Sequence, residues 1–296
     1  MPPKENEKKK DKKKDEPVFE SKLDRMKRFQ EATRKIIEEN NNIAIGLAVQ
    51  AGNVAQIKRL FRRGARMMLA NGWTPILTTA QGGHTAAIRC LAALEVEPHE
   101  DKTPYMVDSK DKRGFTALHA AASGGHDQCC EVLVKEFGLN PNSVTVYGVT
   151  PFLIAARNGS ISTMQTLVDL GAKPEAEDKT AFTALHLTAQ QGMEECVKLL
   201  VSDFGLDVNA ITQHGNAPVH LAAQTGEHEV LRLLIEEYKA NPNPKNHRGK
   251  TPYDLAMDNA REDTALYIQD LIKKRRQEAG ASGDQEPGSA AAEEAA

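Results

Sequence analysis

Apolar residues recur through the middle of the chain in short runs that alternate with polar turns. Runs come in pairs: an Ala-rich stretch of about seven residues, then a second run with valine before a leucine pair, as at 197–200 and 230–234. The spacing of the apolar positions fits one face of an α-helix. The pattern predicts a series of short paired helices.

The pairs follow a regular period. Six copies align on the anchors Thr74, Thr116, Thr150, Thr183, Ala217 and Thr251, which are spaced by 42, 34, 33, 34 and 34 residues. A seventh, weaker copy occupies residues 42–65. Threonine is a favoured N-cap and proline suits the first helical turn, so each anchor predicts a helix start. Glycine is the favoured residue where a helix ends, and it follows the first helix at Gly83, Gly125, Gly159, Gly192 and Gly226.

A Thr-Pro-Leu-His-like motif with a period of about 33 residues resembles the ankyrin repeat. The resemblance covers roughly residues 42–272 and implies an all-α solenoid of helix-turn-helix pairs joined by β-turns or hairpins. The structural residues it implies are Thr116, His119, Thr150, Pro151, Thr183, His186, Pro218, His220, Thr251 and Pro252. In this family the histidine bonds to backbone in the neighbouring turn. The first copy has Gly46 at the histidine position, and the last has Asp254 there and Ala260 for the helix-ending glycine, so both are interpreted as caps.

The stretch "HAAASGGHDQCC", residues 119–130, is the strongest candidate for chemistry. His126 and Cys129 are three residues apart, and imidazole with thiolate can bind zinc or form a nucleophile–base pair. In register, however, His119 is the repeat histidine, and His126 follows a helix-ending glycine. Cys129 and Cys130 occupy core positions of a second helix. We therefore expect a structural role, and neither a metal ion, a cofactor nor catalysis.

Composition limits the remaining function classes. The 296 residues have a net charge of −3, and aromatic residues make up 5%. The chain has no run of about 18 apolar residues and no secretory signal, so a reducing, cytoplasmic location is expected, with the cytoskeleton, a cilium or the nucleus left open. Phosphate-binding loops and the common hydrolase motifs are missing, which favours a non-enzymatic protein.

The resemblance implies a concave groove lined by turn tips and by the ends of the first helices. The predicted tip residues are Asn71, Lys112, Arg113, Tyr147, Lys179, His214, His247 and Arg248. The predicted helix-end residues are Gln81, Arg157, Gln190 and Gln224. This surface is polar and mildly basic, with Tyr147 as an aromatic anchor. It predicts binding of an acidic or amide-rich segment of a partner protein; the alternative is that these side chains only solvate the surface.

The second copy contains an insertion at residues 95–108. Tyr105 and Met106 are apolar residues in this otherwise polar segment and are candidates for docking on a partner; a tolerated surface loop is the alternative. Elsewhere, "DVNA" at 207–210 resembles the site that asparaginyl hydroxylases modify in ankyrin repeats, which makes Asn209 a candidate for hydroxylation.

The two ends differ from the repeats. Residues 1–16 form a lysine-rich arm predicted to be disordered, and residues 273–296 are predicted to form a disordered acidic tail. The cluster Lys8, Lys9, Lys10, Lys12, Lys13 and Lys14 is interpreted as part of a solvated tail; the alternative is weak contact with polyanions, among which nucleic acid is not favoured. Residues 17–41 predict an amphipathic helix ended by Asn40–Asn42, which either caps the first repeat or pairs with a partner helix.

Together these features predict an adaptor that holds protein partners. The alternative is a subunit of a cytoskeletal or flagellar assembly, such as one associated with axonemal dynein, anchored partly by the lysine arm.

Overall fold

The computed structural model describes residues 22–63, 73–94 and 107–281. These residues form fourteen α-helices: α1 (Lys22–Gln50), α2 (Val54–Arg62), α3 (Pro75–Gln81), α4 (Thr85–Leu94), α5 (Ala117–Gly124), α6 (Asp127–Lys135), α7 (Pro151–Arg157), α8 (Ile161–Asp169), α9 (Ala184–Gln190), α10 (Glu194–Lys198), α11 (Pro218–Thr225), α12 (His228–Arg232), α13 (Pro252–Asp258) and α14 (Glu262–Ala281). Two of them, α10 and α12, continue as π-helical segments at Leu199–Asp203 and Leu233–Glu237. The predicted all-α class is confirmed, and β structure in the described residues amounts to one isolated bridge between Glu177 and Thr183.

The helices stack in two layers. First helices pack on first helices, from α1 on α3 through to α11 on α13, and second helices form the other layer, as α4 does with α6 and α6 with α8. The core lies between the layers. Its most regular members occupy the second position of each first helix: Ile76, Leu118, Phe152, Leu185 and Val219, all at most 1% exposed. Each pair therefore buries its apolar face against its neighbours, as short helices require.

The predicted helix ends are confirmed. The five glycines that follow the first helices have φ between +70° and +93°, the left-handed region that glycine adopts without a steric penalty. Thr150 Oγ1 accepts a hydrogen bond from Leu153 N at 3.2 Å, as an N-cap does. In the last repeat Ala260 takes the glycine position with φ of +55°, so this side chain sits in a strained conformation.

The three repeat histidines are fully buried and link neighbouring repeats, as the resemblance implied. His119 Nδ1 accepts from Thr116 N (3.2 Å), so its Nε2–H donates to Val149 O in the next repeat (3.0 Å). His186 bridges to Asn216 O in the same way (3.0 Å), and His220 bridges to the backbone at position 250 (3.2 Å). Burial lowers the pKa of His119 and of His186 to about 4, and it also lowers the pKa of His220. These rings are therefore neutral links.

The asparagines at 40–42 do not end a helix. One helix, α1, runs through them for 29 residues and joins the predicted N-terminal helix to the first helix of the first repeat. Replacing another polar residue by asparagine costs a helix only about a few tenths of a kcal/mol. Because residues 40–42 include no glycine or proline, the helix continues through them. The interpretation that the N-terminal helix covers the first repeat is also wrong, because Phe29 and Ile36 are 74% and 58% exposed. With no turn between the two segments, residues 26–37 cannot fold back on the first repeat.

The C-terminal boundary also differs from the prediction. Residues 273–281, assigned from the sequence to a disordered tail, continue helix α14. Arg275 anchors this turn, because its guanidinium donates to the carbonyl oxygens of Ala240 and of Lys239, the latter at 3.1 Å. The remainder of the predicted tail, 282–296, lies outside the described residues, as does the lysine arm.

Candidate functional site

The hairpins that connect the repeats are joined tip to tip by backbone hydrogen bonds. The bonds run from Val146 N to Arg113 O, from Lys179 N to Tyr147 O, from Gln213 N to Thr180 O and from His247 N to His214 O, at 2.8–3.0 Å. Each tip is held by its neighbour, so the side chains that project from the tips form a fixed row. The predicted groove therefore has a rigid edge before any partner arrives.

A polar side chain at the base of each hairpin holds the loop in shape. It lies five residues before the anchor position and accepts a hydrogen bond from the backbone N–H four residues further on. The members are Asp111, Thr145, Asp178, Thr212 and Asn246, with oxygen-to-nitrogen distances of 2.7–3.2 Å. The sequence reasoning missed these residues, although their regular spacing before each anchor was a usable signal. They belong to the site because they set the direction of the tips.

The predicted groove residues that the structure describes are exposed or half-buried. The tip side chains of Lys112, Arg113, Tyr147, Lys179, His214, His247 and Arg248 are exposed. At the helix ends, Gln81 and Arg157 are exposed, whereas Gln190 and Gln224 are half-buried. Asn71, Tyr105 and Met106 lie outside the described residues, so their predicted roles stay predictions.

Three predicted residues converge on one pocket near the C-terminal end of the groove. His214, Gln224 and Arg248 line a cavity of about 260 Å³ together with side chains that the sequence reasoning missed: Asn216, Asn246, Lys250, Leu255, Asp258 and Asn259. Asn246 Nδ2 donates to Asn216 Oδ1 at 2.8 Å, so two loops from successive repeats are tied together in its wall. The pocket therefore combines amides with cationic side chains.

Charge in this pocket is only partly neutralised. Lys250 forms an ion pair with Asp258. Arg248 is exposed and has no carboxylate within ion-pair distance among residues 22–63, 73–94 and 107–281. At the other end of the groove, Arg113 Nε lies 3.3 Å from the buried carboxylate of Asp111. A carboxylate of a partner would therefore meet no competing carboxylate of the described residues at Arg248, as also at Lys179 and Arg157.

The histidine–cysteine stretch has the geometry of scaffolding. Cys129 and Cys130 are fully buried, which confirms their core positions, and burial raises the pKa of these thiols to about 11 and about 12. His126 Nε2 lies 2.9 Å from the backbone oxygen of Gln81 in the preceding repeat. In the described part of the chain, no three histidine, cysteine or acidic side chains come together as metal ligands would.

Asn209 lies in a turn and its amide is already engaged. Its Oδ1 accepts from Asn241 N at 2.9 Å, and its own N–H donates to Asp207 Oδ1 at 2.9 Å. The side chain therefore joins two successive repeats. Its hydroxylation stays a prediction.

Comparison with known proteins agrees with the architecture. A family model described as "Ankyrin repeats (3 copies)" matches overlapping segments that together run from residue 45 to residue 277. Similar proteins include a transient receptor potential cation channel subfamily A member 1 homolog of Caenorhabditis elegans, 28% identical over 182 residues (61% of this chain, 14% of the relative). Ankyrin repeat and SOCS box protein 3 of Bos taurus is 32% identical over 160 residues (53% and 29%).

Target of rapamycin complex 2 subunit AVO2 of Saccharomyces cerevisiae is 26% identical over 160 residues (53% of this chain, 36% of the relative). The chain thus spans between 14% and 36% of the length of these three relatives. None of the helices in the described ranges is both long and apolar enough to cross a bilayer. Because the family model covers most of the chain and the helix pairs stack as its repeats do, this chain belongs to the ankyrin-repeat family, whose repeats are protein–protein interaction modules.

Proposed function

We propose that the chain is a non-enzymatic adaptor that holds an extended segment of a partner protein in its concave groove. The observation that carries this proposal is that neighbouring hairpin tips are joined by backbone hydrogen bonds. These bonds hold Arg113, Tyr147, Lys179 and His214 in a fixed row. A preformed surface loses little conformational entropy on binding, so most of the contact energy is retained.

The chemistry of the groove favours a partner segment with carboxylate and amide side chains. The row of tips is cationic at Arg113 and Lys179, and the pocket near its C-terminal end adds Arg248 beside the paired amides of Asn216 and Asn246. Tyr147, 62% exposed, offers an aromatic face to an apolar residue of the same segment. The proposed ligand therefore has acidic or amide residues on both sides of a single apolar anchor residue.

A displayed random-peptide library tests this function. Peptides selected on the whole chain are expected to be enriched in Asp, Glu, Asn and Gln around one apolar residue. Replacing Arg113, Tyr147 and Arg157 together with alanine should lower their affinity at least tenfold, a loss that corresponds to about 1.4 kcal/mol. The matched control replaces Arg59 and Arg62 with alanine; both are exposed arginines on α2, which belongs to the layer of second helices. Equal binding by the groove variant and this control would refute the proposal.

A subunit role in a larger assembly is the second proposed function. One similar protein is named as a subunit of target of rapamycin complex 2, which supports the general idea of an ankyrin-repeat subunit. Anchoring through Lys8–Lys14 is expected to be electrostatic and therefore to weaken as salt concentration rises. Deleting residues 1–16 should abolish localisation to a cytoskeletal or flagellar structure while peptide binding in the groove survives. Loss of both properties would contradict a separate anchor.

A further inference from the structure

One face of α1 is apolar and lies open to solvent. Its members are Met26, Phe29, Ile36, Ile37, Ile43 and Leu47, each between 53% and 74% exposed. They run along one side of the helix from the projecting segment into the first repeat, with Thr33 and Asn40 as the polar residues among them. Contiguous apolar surface of this kind on a folded protein marks a place where another surface packs.

The first repeat shows that a neighbour is missing from this face. Leu47 is 63% exposed, whereas Leu221, which holds the same position in a repeat flanked on both sides, is 3% exposed. A solenoid normally ends in a repeat with a polar outer face, because its last apolar surface would otherwise meet water. This end of the stack has an apolar outer face, and the same stripe continues along α1.

The stripe follows a seven-residue repeat. Counting Met26 as position a, the a positions hold Met26, Thr33, Asn40 and Leu47, and the d positions hold Phe29, Ile36 and Ile43. Alternating steps of three and four residues are the spacing of a left-handed coiled coil. The pattern extends over residues 26–47, about 33 Å of helix at 1.5 Å per residue.

The two polar residues in the stripe are compatible with burial. Thr33 Oγ1 donates to Phe29 O at 2.8 Å, so its hydroxyl is satisfied within its own helix. Asn40 is exposed and sits at an a position. In a parallel pair of identical helices the two asparagines face each other, and each amide can donate to the other; such an asparagine favours two strands in one register.

Charge does not oppose pairing of two identical helices. The flanking e and g positions hold Gln30, Ala32, Ile37, Glu39, Ala44 and Gly46, of which only Glu39 is charged. The other charges lie at the outer b, c and f positions of the sequence pattern: Lys27, Arg28, Glu31, Arg34, Lys35 and Glu38. In a parallel pair, position g of one helix meets position e of the next heptad of the other, so Glu39 meets Ala44 and no like charges are brought together.

The solenoid leaves room for a second helix. Ile45, Ala48 and Val49 are at most 1% exposed, and they occupy the f, b and c positions, where α1 packs against α2 and α3. At about 100° per residue these positions lie opposite the a/d stripe. We propose that α1 pairs with α1 of a second copy as a parallel two-stranded coiled coil, with the two solenoids on opposite outer sides.

Light scattering coupled to size-exclusion chromatography tests the assembly on the full chain. The wild type is expected to have about twice the 32.4 kDa chain mass. Phe29→Glu with Ile36→Glu should halve this mass, because charges in the seam cannot be buried. The control, Lys27→Glu with Lys35→Glu, introduces the same two glutamates on the outer face, with a larger change in net charge, and should leave the mass doubled. A wild-type mass of one chain across the concentration series, as expected if the stripe serves a different protein, overturns the proposal, and so does a mass of three chains.

A crosslink tests the register. The four native cysteines are buried, so an introduced thiol is the one available to an oxidant. Asn40→Cys should give a disulfide-linked pair of chains, since position 40 faces its counterpart in the parallel arrangement. Lys35→Cys, at an outer position, should stay uncrosslinked. A doubled mass without a crosslink at position 40, or equal crosslinking of both variants, refutes the parallel register.

Discussion

The buried histidines make the stability of the solenoid depend on pH between about 4 and 6.5. His119 and His186 have a pKa of about 4 in the folded chain, because burial disfavours the charged ring. In the unfolded chain a histidine titrates near 6.5. Between these values the unfolded state binds more protons than the folded state, so stability is highest above pH 6.5 and falls as the pH is lowered towards 4.

The size of the effect follows from the two pKa values. At pH 5 the unfolded ring is almost fully protonated and the folded ring is still neutral, so each histidine lowers the free energy of unfolding by about 2 kcal/mol relative to pH 8. His119 and His186 together therefore cost about 4 kcal/mol, a large part of the roughly 5–15 kcal/mol that holds a typical domain together. His220 adds to this loss, since its pKa is also lowered.

Urea unfolding followed by circular dichroism at pH 8, 6.5 and 5 measures this loss. The double variant His119→Gln with His186→Gln removes both titrating rings, so its free energy of unfolding should change about 4 kcal/mol less between pH 8 and pH 5 than that of the wild type. The control variant His214→Gln with His247→Gln alters two exposed hairpin-tip rings and should keep the wild-type pH dependence. Equal pH dependence of the double variant and the wild type would show that the buried rings are not the cause.

Three further predictions concern the scaffold. Ala181→Gly and Ala260→Gly should each raise the free energy of unfolding by about 1 kcal/mol, because both alanines have φ of +55° to +58°, where a Cβ is strained. An unchanged or lower free energy in urea unfolding would contradict this strain. Asp111→Ala should lower the free energy of unfolding by about 2 kcal/mol, since the backbone N–H groups of Arg113 and Phe115 lose a buried acceptor. If the free energy falls no more than in an exposed Asp→Ala variant, Asp111 does not hold the hairpin in shape. The four buried cysteines should resist a thiol-reactive dye at pH 8 and all react in denaturant; fast labelling of the folded chain would show that a thiol is accessible.

The repeat architecture could be predicted because its signals are local. A threonine before proline starts a helix, a glycine that tolerates positive φ ends it, and the recurrence of both fixes the number of pairs. The recurrence of His119 with His186 and His220 at one position indicated a structural role, and the ankyrin resemblance implied the bond to the neighbouring turn. The same register assigned Cys129 and Cys130 to the core and not to a metal site.

The arrangement of the candidate site is decided by tertiary structure. Neither the bonded hairpin tips nor the pocket that brings His214 and Arg248 beside Asn246 follows from spacing within one repeat, because the partners come from different repeats and meet only when these stack. The continuation of α1 through residues 40–42 was predicted wrongly although its cause is local, since no glycine or proline interrupts the helix there. Local sequence thus determined which helices form and how many, whereas the packing of one repeat on the next decided which polar side chains converge and which apolar face of α1 is left open.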